Sequence, residues 1–275
     1  MTTLEKLATL TAERVWRGKR SEQSATRSAA FVVERLGAGL DVQKLTTARI
    51  AKLIAQFQEE GVANATISRR LSALSRMLTF AFEQKLISAV PAFPRVKEDA
   101  PRDSRFLTDQ EEALLLRTFG ALGREDMADL CICMADSGLQ VGEALALTWR
   151  DVADGALNIR GSAPRTVPLT TRARAAIERR RSSAGGPFAS FTHSGVTFAW
   201  NQAREKLGLA EDEGFVPRCL RHTFVVRLFE AGADPVTIKE LAGHKALTYT
   251  LRYAKLLEPR PGRAIQRLER YTAGK

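Results

Sequence analysis

Between Arg218 and Tyr253, three residue types stand at spacings that suit phosphoryl chemistry. Arg221 lies in R-C-L-R-H-T-F, His244 closes L-A-G-H, and Tyr253 follows that histidine by nine residues. Covalent cleavage of a phosphodiester needs a nucleophile for phosphorus. It also needs cationic donors for the non-bridging oxygens, where charge accumulates, and a group to handle the proton of the departing oxygen. A phenol fits the first task, because its phosphate ester is stable enough to wait for a second strand end. A guanidinium fits the second, because its planar fork matches phosphate oxygens and it keeps its charge. An imidazole fits the third.

Positioning these groups falls to a chain that reads as mainly helical. Residues 1–90 carry helical periodicity throughout. The clearest segment is Val62 to Leu86, where Ile67, Leu71, Leu74, Leu78 and Phe82 form one apolar stripe, with Asn64 and Thr66 as N-cap candidates. Arg69, Ser72 and Arg76 fall on another face of that helix. Arg69, Arg70 and Arg76 are the candidate contacts to a DNA backbone, against the plainer reading of a solvated face. Residues 91–105, rich in proline and charge, read as a linker. Residues 106–275 read as a second domain that opens on Thr108 and Glu111 at capping-box spacing. An apolar helix from Met127 to Ser137, stopped near Gly138, and a short helix from Gly142 to Trp149 follow. Two strands at 156–160 and 165–169 then form a hairpin, and helices are expected at 171–181, 194–207, 218–231, 235–242 and 247–257. Trp149 reads as core and His222 as a capping or packing residue; His193 has no clear role.

Composition narrows the partners. The chain has 275 residues, enough for one large domain or two ordinary ones, and its 44% apolar content suits a buried core. Its net charge of +11 favours a polyanion, nucleic acid first. Residues 1–95 hold 15 Lys or Arg against 8 Asp or Glu, making this the more basic part per residue. Cys131, Cys133 and Cys219 form no metal pattern and read as core thiols. The odd cysteine count and absence of a signal peptide suit a reducing cytoplasm. No apolar run approaches the ~18 residues of a membrane span.

Several further motifs line up with the C-terminal boxes: A-T-I-S-R-R-L-S-A-L-S-R, the proline linker, R-F-L-T-D-Q-E-E, D-S-G-L-Q-V-G-E-A-L-A-L-T-W-R-D-V and R-T-V-P-L. In order and spacing the chain resembles the tyrosine recombinase (phage integrase) family over nearly its whole length. The resemblance implies a mainly α fold. A helical N-terminal core-binding (SAM-like) domain would precede an α-rich catalytic domain with a small β-hairpin or sheet. It places the nucleophile on Tyr253 rather than Tyr249, whose spacing is wrong, and further catalytic roles on Arg221 and His244.

The remaining positions depart from the family pattern. Gln140 stands where the first catalytic arginine is expected, and Arg160 replaces the hairpin lysine that acts as general acid. Arg218 replaces a histidine or lysine. Glutamine brings no charge, and loss of one transition-state donor costs on the order of 10²–10³ in rate. Arginine keeps charge but is a poor proton donor. Glu143 and Asp151 are expected to orient the Gln140 position and its helix. The resemblance implies a clamp on double-stranded DNA, a 3′-phosphotyrosyl intermediate, a tetramer on DNA with residues 263–271 docking on a neighbour, no cofactor or metal, and a cytoplasmic, nucleoid-associated setting in a bacterium or phage. Two alternatives stay open: a DNA-binding, assembly or regulatory protein that has lost catalysis, and a type IB topoisomerase acting alone.

Overall fold

The computed structural model of the chain describes residues 2–19, 21–97 and 105–256, with six positions beyond (262, 265, 266, 269, 270 and 272). Most of the expected docking segment, 263–271, lies outside the described residues. The chain divides into two compact units, Met1–Arg102 and Asp103–Lys275.

The first unit is helical: α1 (Leu4–Thr11), a π-helical turn (Ala12–Trp16), α2 (Glu22–Leu36), α3 (Thr47–Glu59) and α4 (Asn64–Glu83). Its core gathers Leu4, Leu7, Val32, Ile50, Leu53, Phe57 and the inner face of α4. Each such side chain, fully buried, contributes roughly 1.5–3 kcal/mol. Two details of α4 differ from expectation. Ala63 occupies the N-cap without a side-chain hydrogen bond, so neither Asn64 nor Thr66 caps the helix. Phe82 is 49% exposed. At about 100° per residue it falls at the margin of a buried arc that runs instead through Leu74, Met77 and Ala81.

The second unit runs α5 (Asp109–Ala121), α6 (Glu125–Ser137), α7 (Val141–Leu145), β1 (Val152–Ala153), β2 (Ala156–Ile159), β3 (Arg165–Pro168), α8 (Thr171–Glu178), α9 (His193–Lys206), α10 (Arg218–Ala231), α11 (Pro235–Ala242) and α12 (Leu247–Ala254). The reciprocal Thr108–Glu111 capping box starts α5, and Gly138, at φ +65°, ends α6. The hairpin is antiparallel, with Leu157 opposite Val167 and Ile159 opposite Arg165. A two-residue strand, β1, widens it to an antiparallel sheet of order β1-β2-β3. Trp200, Phe119, Phe188 and Phe215 fill the centre of this unit with the three cysteines. Burial raises all three thiols, so they are inert packing groups. Trp149 sits at the core's edge rather than within it. Its indole N–H donates to the Ser183 carbonyl at 2.8 Å, and the Arg181 guanidinium covers the ring at 4.9 Å. No helix among the described residues is long and apolar enough to cross a membrane.

Candidate active site

Arg221 lies one turn into α10, and its guanidinium is buried. One terminal nitrogen donates to the Gly138 carbonyl at 2.7 Å and the other to the Ala242 carbonyl. Both acceptors are at helix C-termini, where unsatisfied carbonyls carry partial negative charge. The side chain thus ties the ends of α6 and α11 together. Burial lowers its pKa to about 10, against the pull of Glu143, and it stays cationic at neutral pH.

The segment after α11 delivers the histidine. Gly243 turns the chain at φ +67°, and His244 follows. The His244 ring lies parallel to the Tyr253 ring, 6° apart in plane with centroids at 6.2 Å. Its Nδ1 is 2.8 Å from the Thr250 hydroxyl. Burial, then repulsion by Arg221, Arg165, His222 and Arg218, lowers its pKa to about 4, so the ring is neutral at pH 7 in the free protein.

Tyr253 projects from α12 on the same face as Thr250 and is 7% exposed, whereas Tyr249 is 49% exposed. Its other neighbour is His222, edge-on at 5.5 Å between centroids. Arg218 is exposed at the first turn of α10, close enough to repel protons from both His222 and His244. Arg218, Arg221, His244 and Tyr253 therefore form one cluster.

Gln140 adjoins the cluster through Glu143, whereas Arg160 is held by Asp151. Gln140 is exposed at the N-cap of α7, and its backbone N–H donates to Glu143 at 2.9 Å. Arg160 follows β2, the hairpin's first strand, with its guanidinium 2.6 Å from Asp151 Oδ1, a close ion pair without hydrogen-bond alignment. Asp151 also accepts from the backbone and hydroxyl of Thr148. Its carboxylate thus holds both a 3₁₀ turn and Arg160.

Sequence reasoning assigns no site role to Arg165, and to His222 only that of a capping or packing residue. Arg165 counts there only as the start of a strand. Folded, its side chain is 6% exposed and forks onto Glu143, with further bonds to the carbonyls of Leu241 at 2.8 Å and Ala163 at 3.2 Å. Burial pushes the Glu143 carboxyl up, but Arg165, the Gln140 N–H and Arg221 together hold it below the usual range. The clue was a charged residue opening a short apolar strand, a faint one. His222 carried no signal beyond adjacency to Arg221. In the N-terminal unit Arg69 is exposed, and Arg76 pairs with Glu83 at 3.2 Å. Arg70 instead lies over the rings of Phe31 and Phe57, at 4.4 and 4.6 Å. It sits three residues after Ile67, on the apolar side of α4, so its cation packs the unit's own interior.

The fold and the cluster together define a class of enzyme. Residues 105–260 match the phage integrase family, and the chain belongs to it. The tyrosine recombinase XerC of Xanthomonas axonopodis pv. citri (strain 306) is 28% identical over 259 residues, covering 88% of this chain and 82% of that protein. The Tn1549 transposon integrase, solved in complex with circular intermediate DNA, aligns with a TM-score of 0.75 at 17% identity over 92% of this chain and 95% of that one. A lambda integrase tetramer bound to a Holliday junction aligns at 0.73 and 19% over 91% and 75%.

Proposed function

We propose that this phage integrase family chain is a site-specific DNA recombinase that cuts and rejoins duplex DNA through Tyr253. The phenol oxygen forms a bond to phosphorus and the bond to the 5′ oxygen breaks, giving a 3′-phosphotyrosyl link and a free 5′-hydroxyl, the proton gained by the 5′ oxygen balancing the one lost by the phenol. Attack by a 5′-hydroxyl of a partner duplex reverses the step and needs no ATP. Arg221 and Arg218 hold the non-bridging oxygens. Neutral His244 takes the phenol proton or donates to a non-bridging oxygen. A phosphate entering among Arg221, Arg165 and Arg218 offsets the repulsion that adds to burial in keeping His244 neutral, so its basicity rises as substrate arrives. The observation that carries this reading is the buried Tyr253 ring packed on His244, with the Arg221 guanidinium beside them. The integrases solved on circular intermediate DNA and on a Holliday junction support duplex DNA as substrate and a tetramer as the working assembly. Residues 1–90 serve as the DNA core-binding part and 106–275 as the catalytic part.

A second reading has its own support. Gln140 supplies no charge, and Arg160 is engaged by Asp151 rather than by the cluster. A chain so altered is a slow recombinase, or a DNA-binding subunit without catalysis. A nicked suicide duplex, carrying a site selected from random-sequence DNA, separates them. Covalent adduct on a denaturing gel supports the recombinase; tight binding with no adduct supports the subunit.

A further inference from the structure

Two of the chain's three histidines touch the Tyr253 ring. His244 lies along its face, and His222 meets it edge-on with an interplanar angle of 62°. The His222 ring is not free to turn, because its Nδ1 is 3.0 Å from the main-chain carbonyl of Arg105. A carbonyl oxygen only accepts, so Nδ1 carries the hydrogen. Burial, reinforced by Arg218 and Arg221, keeps the ring from taking a second proton, which leaves Nε2 a bare acceptor.

Arg105 is itself firmly placed. Its guanidinium bonds to Glu111 and to Asp212, the latter at 3.0 Å, and it lies 5.6 Å from the Phe215 ring centroid. The residue entering the second unit therefore fixes one imidazole, and that imidazole bounds the tyrosine.

We propose that His222 is a positioning residue for Tyr253: pinned by the Arg105 carbonyl, it confines the phenol ring against His244 so that the hydroxyl is presented to phosphorus in one orientation. The inference rests on Tyr253 being the nucleophile. The two imidazoles meet the tyrosine ring from its face and its edge.

The test is the single-turnover rate of adduct formation on the selected nicked duplex, with duplex affinity measured in parallel. His222→Ala removes the ring. The rate falls by on the order of tenfold to a hundredfold, the penalty of a displaced reacting group, while affinity is unchanged. His222→Asn keeps an N–H that reaches the Arg105 carbonyl and recovers part of the rate; it also serves if the alanine variant folds poorly. His222→Gln, whose donor matches Nε2 instead, recovers less. Adduct formed by wild type, lost in Tyr253→Phe and undiminished in both His222→Ala and His222→Asn overturns the inference alone. A parallel fall of rate and affinity also overturns it, since that is the mark of a merely structural residue. Absence of adduct in wild type, or its persistence in Tyr253→Phe, overturns the nucleophile and the inference with it.

Discussion

Arg165 and Glu143 meet as two parallel forks, Nη1 to Oε1 at 2.9 Å and Nη2 to Oε2 at 3.0 Å. The same carboxylate lies 3.8 Å from Arg221 and accepts the Gln140 N–H. One half-buried acid thus joins the strand β3, the start of α7 and the arginine of α10. Removing Arg165 leaves the carboxylate with only Arg221 and the Gln140 N–H, at a cost of up to about 3–5 kcal/mol. Arg165→Met is expected to lose stability on that scale in urea denaturation, and Arg165→Lys to lose less, keeping charge without the fork. The double variant Arg165→Met, Glu143→Gln should recover part of the loss. Equal midpoints for wild type and Arg165→Met would show the pair to be dispensable.

Gly138 has two duties, a left-handed turn and a carbonyl for Arg221. A Cβ there would come within 2.4 Å of the Phe224 ring, whereas one on Gly123, at the same φ of +65°, meets open space. Gly123→Ala should cost only the backbone strain, about 1 kcal/mol. Gly138→Ala should cost clearly more and slow cleavage as Arg221 shifts. Matching melting temperatures for the two variants would remove the argument.

Gln140→Arg tests the missing charge. A regained donor is worth on the order of 10²–10³ in rate where the transition state uses it. The expected outcome is faster adduct formation with little change in stability, since position 140 is exposed. No acceleration would mean that the other cations already suffice.

His244 gives stability a pH dependence. Its pKa falls from 6.5 when unfolded to about 4 when folded. Between those values the unfolded chain binds the extra proton, so stability is lost as pH falls through that window and regained as it rises. Urea midpoints taken across the window should show this slope in wild type and a shallower one in His244→Asn. Identical slopes would contradict the burial of a neutral imidazole.

Arg69 and Arg70 are neighbours with opposite expected effects. Arg69→Ala should weaken duplex binding and reduce the salt dependence of log K by about one. Arg70→Ala should lower stability through lost stacking on Phe31 and Phe57, by roughly 0.5–2 kcal/mol, and leave the salt slope alone. Reversed effects would move the DNA face to the other side of α4.

What could be read from the chain alone had local causes. Thr108 with Glu111, and Gly138 after an apolar run, mark helix ends because caps and left-handed turns need particular side chains. The fork-making role of Arg165 had no such mark, since its partners come from α7, α11 and the hairpin turn and meet only on folding. Arg70 shows the same limit: from the sequence it is a candidate DNA contact, and only the neighbouring Phe31 and Phe57 reveal what its charge packs on. Asn64 was a good cap by type, yet the helix begins one residue too early for it to serve. Arg221, His244 and Tyr253 were legible because their spacing is itself the signal. The ring stack that joins His244 to Tyr253 was not.

The most direct test of the central claim is peptide mapping of the covalent adduct. Wild-type protein is incubated with the selected nicked duplex, digested with nuclease and protease, and analysed by mass spectrometry. A nucleotide remnant on Tyr253, absent from Tyr253→Phe and retained in Tyr249→Phe, is the predicted result. A remnant on Tyr249 or any other residue, or no adduct from wild type on DNA that it binds tightly, would contradict the account.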